Sequence, residues 1–354
     1  MKRLFTIVCM VIITNIVMTS IVSAEVVKNV NTSKNEEVES EFFEADNAVI
    51  ASREHERTIT KEYTVSSSPS LSINNSFGNI KIIEGADNKI VFNITITGKG
   101  NDIDIAKKYA ETVDVKFIQN GNNVSAKTEF GKMNCKNCGR SVNYEVTVPK
   151  NTKHLLENKF GDINVNNISE PLEIKLEFGK LFANVLSDVN LFLQYGEATI
   201  NKCGDVIIKS GFSKYKIGEI NSITGDVSYD GFNIEELASA DVKSGFTNFD
   251  IQKLKKSFLS KNFSYGSLKV KNVDYNFSEI KINASFSKIN IPLDEKHNFK
   301  ATLYCSFGNI KTGKVVFLEK SLDKKDAIVG IAGNVKEPSA LVDLSNSYGD
   351  INLQ

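Results

Sequence analysis

The chain has 354 residues, enough for a large core or two domains, and its 43 Lys+Arg balance its 43 Asp+Glu. That balance supplies no net field to draw nucleic acid or an anionic surface. Trp is absent and His occurs only at His55, His154 and His297, a thin supply of general bases for catalysis.

Residues 1–24 read as a secretory signal. Lys2 and Arg3 give the charged start, Leu4 to Ile21 is mostly apolar, and Val22-Ser23-Ala24 offers a small-residue cleavage site before Glu25. An uncleaved membrane anchor is the alternative, because the apolar run approaches the length of a short span. Cys9 lies too early, and follows Val8 rather than a small residue, so no lipoprotein attachment site is read there. No later stretch is long and apolar enough to cross a bilayer. The mature chain is therefore expected to be exported, to the periplasm or cell surface, with no transmembrane segment. Residues 25–61 are polar, with acids at Glu36, Glu37, Glu39, Glu41, Glu44 and Asp46, and read as a solvated linker.

Residues 62–150 form a first β part. Leu71, Ile73, Phe77, Ile80 and Ile82 alternate as strands, and so does Val91 to Ile96. Ile103 to about Ala110 breaks that period and reads as a short helix. Val113–Ile118, Val124–Phe130 and Val142–Val148 return to strand, up to a turn at Pro149. Between them lies Cys135-Lys136-Asn137-Cys138, which in an oxidising compartment could close a small disulfide loop. A redox motif would sit at a helix start, and zinc would need two further ligands nearby, so a structural clip or free thiols are expected.

Residues 151–354 carry a repeat. An aromatic recurs at Phe160, Phe178, Tyr195, Phe212, Tyr229, Phe246, Tyr265, Phe286 and Phe307, at steps of 17 to 21 residues. Counted from each aromatic, positions +3 and +5 are mostly apolar. Alternate positions before it are apolar or small, as in Leu172, Ile174 and Leu176. The parity changes between zero and +3, which calls for a corner, and Gly161, Gly179, Gly196, Gly266 and Gly308 sit there, where positive φ is cheap. Position +7 is usually polar and +8 apolar, a second parity change and a second corner. A coil with several corners and short strands is a parallel β-helix, a solenoid of 17–21-residue turns stacked ~4.8 Å apart. An antiparallel meander or barrel is the alternative. The nine aromatics are expected to point inward as one buried ladder. Cys203 and Cys305, about six repeats apart, are expected to be buried thiols, not a disulfide.

The motif Phe77-Gly78-Asn79-Ile80, with Phe160-Gly161-Asp162-Ile163, Phe307-Gly308-Asn309-Ile310 and Tyr348-Gly349-Asp350-Ile351, resembles the repeat of the bacterial "putative adhesin" family. The resemblance covers roughly Tyr63 to Gln354. It implies an exported β-helical protein and carries no catalytic residues with it. Ser213, Thr247 and Ser287 replace the corner glycine and put its geometry in question at those copies.

The expected function is a non-enzymatic envelope or surface protein that binds an envelope protein or glycan, or acts as a scaffold. No catalytic, cofactor-binding or metal-ligating residue is assigned, and no cofactor. One alternative is a carbohydrate-active enzyme, a polysaccharide lyase or hydrolase, for which Asp241, Asp250, Asp162, Glu197 and Asp350 are the acids on offer. Another is an envelope sensor or scaffold for a regulatory membrane protein. At the C-terminal end, Val315–Leu318 and Ala327–Ile331 are expected to form a hairpin over the last coils, leaving a monomer. The Ile351–Leu353 strand is the edge through which copies would otherwise associate.

Overall fold

The computed structural model describes residues 52–85, 88–132 and 134–354. The expected signal, Cys9 and residues 25–51 of the expected linker lie outside the described residues. The rest of that linker is not a linker. Strand β1 (Arg53–Thr64) pairs antiparallel with β4 (Lys89–Gly100), and between them come β2 (Ser70–Ser76) and β3 (Ile80–Gly85). The sequence of β1 hides its state: alternating charges leave both faces polar, and only its pairing with β4 shows it to be a strand.

Helix α1 (Ile103–Glu111) follows. The Asp102 side chain accepts the Ile105 N–H at 2.8 Å, an N-cap that satisfies one orphan amide of the first turn. The helix lies so close to β4 that a Cβ on Gly98 would stand 2.1 Å from the Ala106 carbonyl oxygen. Then come β5 (Val113–Asn120), β6 (Asn123–Phe130) and β7 (Gly139–Pro149). β6 pairs with β5 on one side and with β2 on the other; β7 lies between β4 and β3. The segment from Asp102 to Pro149, with β1 and β4 added to it, covers the N-terminal edge of the strand rows.

The regular array is a parallel β-solenoid of two strand rows joined at the aromatic corner. Its strands are β8 (Lys153–Lys159), β9 (Ile163–Ile168), β10 (Leu172–Glu177), β11 (Lys180–Leu186), β12 (Val189–Gln194), β13 (Glu197–Gly211), β14 (Lys214–Ser228), β15 (Gly231–Gly245), β16 (Asn248–Ser264), β17 (Ser267–Val273), β18 (Glu279–Ser285) and β19 (Lys288–Asn290). Every pairing among them is parallel, which excludes the meander. Registers advance by one repeat, as in Leu172↔Val189 and Ile217↔Ile234. The second corner is present as well: Asn201, Gly218 and Glu235, at +6, drop out of the ladder between paired neighbours. The core between the rows is continuous, from Leu71 to Leu353.

The remaining strands are β20 (Phe299–Ser306), β21 (Ile310–Lys311), β22 (Phe317–Asp323), β23 (Ala327–Ala332), β24 (Ala340–Ser347) and β25 (Ile351–Asn352). The last coil in sequence is not the last in space. β24 lies between β18 and β20, and β25 between β19 and β21. Ile351 is thus an interior residue, fully buried, with its N–H donated to Asn309 O at 3.0 Å. It is not the free edge the sequence suggested. The hairpin forms as β22 and β23, and β23 pairs antiparallel with the outer side of β20. Its outer strand carries Glu319, Lys320 and Asp323, charges that discourage edge-to-edge pairing.

Candidate functional site: an exposed aromatic ridge

The aromatic ladder exists, but it faces solvent. Phe160, Phe178, Tyr195, Phe212, Tyr229, Phe246, Tyr265 and Phe286 are 44–52 % exposed, and Phe307 is 80 % exposed. The cause lies in the backbone. Each of these residues, with Phe77 and Tyr348, has φ between 52° and 60°, the left-handed region. One left-handed residue interrupts the alternation: the aromatic swings outward and the residue at +1 turns inward. Where glycine stands at +1 it serves close approach, not positive φ; a Cβ on Gly161 would stand 2.0 Å from Gly78 O. The inward aromatic stack is at +3, where Tyr215, Phe232 and Phe249 stack at 4.3 and 4.7 Å.

A left-handed Phe or Tyr costs about 1–2 kcal/mol of backbone energy. Stacking offsets it, at about 0.5–1.5 kcal/mol per ring pair beyond buried area. Ring centroids from Phe77 to Phe307 are 4.6–5.1 Å apart with interplanar angles of 1–12°. Tyr348 stacks between Phe286 and Phe307, matching the inserted coil. At the N-terminal end Phe130 meets Phe77 edge-on at 5.7 Å and closes the stack.

Where the corner glycine is missing, the corner holds and gains a buried polar line. Gly196 N–H donates to Ser213 Oγ (3.2 Å), Ser213 N–H to Asp230 Oδ1 (2.7 Å), and Asp230 N–H to Thr247 Oγ1 (3.2 Å). Gly266 N–H donates to Ser287 Oγ at 3.3 Å. Each substituted side chain thus satisfies the corner amide of the preceding coil. Asp230 belongs to this set and was missed; its place directly after Tyr229, where other copies have Gly, was the signal. Its Oδ2 also accepts the Ser228 N–H at 3.1 Å. Burial nonetheless pushes its carboxyl up to about 6.

Two grooves flank the ridge. One, of about 580 Å³, lies on the +2 side against Phe178, Tyr195 and Phe212, with Lys180, Glu197 and Lys214. The other, of about 490 Å³, lies before the corner and includes Ser228, Gly245 and Ser264, with Lys209, Asp226 and Lys243. A separate hollow of about 1010 Å³ on the later row includes Glu84, Lys150 and Phe182; burial raises the Glu84 carboxyl and Lys150 opposes the shift.

The acids considered for hydrolysis do other work. Asp162 Oδ1 accepts the Lys180 N–H at 2.8 Å and Asp350 Oδ1 the Asn309 N–H at 2.9 Å, each pinning a corner to its neighbour. Glu197 pairs with Lys180 at 3.1 Å. Asp250 pairs with Lys269 at 3.4 Å on the later row, whereas Asp241 is exposed on the earlier one. Cys135 and Cys138 are joined as a disulfide in the loop between β6 and β7. Cys203 and Cys305 are buried free thiols, and burial pushes Cys203 up to about 12. Among the described residues no cluster of three or more His, Cys, Asp or Glu is placed to hold a metal, and no helix is long and apolar enough to cross a membrane.

Residues 68–354 match the Toastrack DUF4097 family. The chain belongs to it. No curated protein matches this Toastrack chain. Among solved structures, it is similar to one from Bacteroides fragilis described as a "putative adhesin", at 12 % identity and a TM-score of 0.33, over 84 % of this chain and 97 % of that one. A "putative cell adhesion protein" from Clostridium sporogenes shares 11 % identity at a TM-score of 0.20, over 85 % and 99 %. A "putative lipid binding protein" from Parabacteroides distasonis shares 9 % identity at a TM-score of 0.34, over 64 % and 97 %.

Proposed function

We propose that this Toastrack protein is an exported, non-enzymatic binding protein of the cell envelope or surface, adhesin-like, and that the aromatic ridge is its docking surface. One observation carries the reading: eleven aromatic side chains stand in a single exposed line on a rigid scaffold, each held outward by a strained backbone. A contiguous exposed apolar feature of that size marks an interaction site more often than chance surface composition. Export is supported by the sequence of residues 1–24 and by the Cys135–Cys138 disulfide, which suits an oxidising compartment. A monomer suffices, because one copy already presents the full ridge.

The test is retention on isolated bacterial envelopes. Asn tolerates the left-handed region and removes the ring, so Phe178→Asn, Phe212→Asn and Phe246→Asn combined should abolish retention while circular dichroism stays β-rich. Ile207→Ser, an exposed position on the earlier row away from the corner, should leave retention intact. Equal retention of all three proteins would refute the ridge as the docking surface.

A further inference from the structure

The spatial order of the rings differs from their order in sequence, and it has a pattern. From Phe178 the stack reads Phe178, Tyr195, Phe212, Tyr229, Phe246, Tyr265, Phe286, Tyr348, Phe307, a strict alternation completed only by the inserted last coil. Ring steps of 4.9 and 4.6 Å separate Tyr195 from Tyr229, steps of 4.6 and 4.8 Å separate Tyr229 from Tyr265, and steps of 4.9 and 4.7 Å separate Tyr265 from Tyr348. A phenol therefore recurs at every second coil of the stack. None of these four hydroxyls has a hydrogen-bond partner among the described residues.

Stacking also determines how the rings can be used. Their faces cover one another, so a ligand meets ring edges and, at each Tyr, one hydroxyl that donates and accepts. Beside the edges runs a low lane. From Phe212 to Phe286 the residue before each aromatic is Gly211, Ser228, Gly245, Ser264 or Ser285, none of which rises to the height of a ring, whereas Gln194 before Tyr195 is longer and reaches over Gly211. Across the lane stand Lys209, Asp226, Lys243 and Asn262. Lys243 Nζ and Asp226 Oδ1 are 3.9 Å apart and offset one another, so this side offers polar groups with a single net positive charge. On one side stands the ridge with its periodic hydroxyls; the other side is polar and carries one net positive charge.

We infer that this lane takes an extended β-1,4-linked glycan lying parallel to the solenoid axis. The inference rests on the docking reading above and names its ligand class. Pyranose rings match the lane: C–H groups on the faces, hydroxyls around the rim. In an extended β-1,4 chain each sugar advances roughly one strand spacing, ~5 Å, and is turned over relative to the last. The same edge therefore recurs at every second sugar, as the phenols recur at every second coil. An α-1,4 chain coils and cannot keep that register. A single sugar meets one phenol, so recognition belongs to the polymer.

The experiment uses the full chain with β-1,4-linked glucose and N-acetylglucosamine oligomers of two, four and six sugars, in calorimetry, and co-sedimentation with cellulose and chitin. Tyr195→Phe, Tyr229→Phe and Tyr265→Phe combined keep every ring stack and remove three hydroxyls. The expected results are affinity rising steeply from dimer to hexamer, no binding of α-1,4 oligomers, and a loss of roughly tenfold to a hundredfold in the triple variant at an unchanged melting temperature, as for three neutral hydrogen bonds. Binding equal for dimer and hexamer, or equal for wild type and triple variant, overturns the inference. So does an absence of glycan binding by a protein that isolated envelopes retain through its Phe rings; in that case the docking surface stands and its glycan ligand falls.

Discussion

Phe212 offers a test of the corner that does not depend on any ligand. Its φ is 55°, its ring is 50 % exposed, and it stacks on Tyr195 and Tyr229 at 4.9 and 4.6 Å. An aromatic side chain can bury about 150–250 Å². Half of that, at about 25 cal/mol per Å², is about 2–3 kcal/mol, an upper value because the unfolded chain is itself partly compact. Two lost stacks add about 1–3 kcal/mol. Phe212→Ala should thus destabilise by about 3–6 kcal/mol, much as a buried ring would, so that variant alone says little. Phe212→Gly loses the same contacts but escapes the left-handed penalty of about 1–2 kcal/mol. Within an ordinary strand glycine is about 0.5–1 kcal/mol worse than alanine; here the order reverses, and glycine should be the more stable by about 1 kcal/mol. Urea denaturation of both variants, followed by circular dichroism, reads the difference as a shift in midpoint. An alanine variant as stable as the glycine variant, or more so, would refute the left-handed corner.

Gly266→Ala places a Cβ 2.1 Å from Thr247 O and should cost at least about 1–3 kcal/mol, whereas Gly231→Ala meets nothing within 4 Å and should stay within about 0.5 kcal/mol of wild type in the same titration. Asp230 gives a pH signature: with its carboxyl raised to about 6 in the fold from 3.8, its stabilising effect is complete below about pH 4 and is lost as pH rises through 6. Relative to Asp230→Ser, wild type should lose about 1–3 kcal/mol between pH 4 and pH 7; a difference that does not change with pH contradicts the buried carboxylate. His154 moves the other way. Burial lowers it to about 4 against an opposing contact with the Thr152 backbone, so it weakens the fold as pH falls from 6.5 towards 4, and His154→Leu should raise the melting temperature more at pH 5 than at pH 7. Ile351→Pro removes an interior N–H and should unfold the last coils, seen as lost β signal; a folded protein of altered mass in light scattering would restore the edge-strand reading.

Much of the architecture was legible because hydrophobic parity is local. Leu172, Ile174 and Leu176 mark one inward row and Ile163 and Val165 the other, and the two parity changes per repeat located both corners. The side on which the aromatic falls was not legible from alternation alone. Phe178 shares parity with Leu176 and so reads as inward, yet Gly179 shares parity with Leu181, and a single left-handed residue resolves the conflict by turning Phe178 out. The small and polar residues at +1, Ser213, Asp230 and Thr247, were the overlooked sign that this position is the interior one. The coil order at the C-terminal end was hidden for a different reason: the pairing of β24 with β18 joins residues such as Ile280 and Val342, a contact no local pattern encodes. For β1, an alternation of charges with few apolar residues looks like linker until β4 is beside it.

Hydroxyl-radical footprinting with mass spectrometry bears most directly on the central claim, that the ridge is outward and is where the protein binds. Tyr195, Tyr229 and Tyr265 should be heavily modified in the free protein and protected once it is retained on envelopes, while Tyr215, buried at 3 % exposure, stays unmodified in both. Ridge tyrosines that resist modification in the free protein, or that remain equally reactive on envelopes, would contradict it.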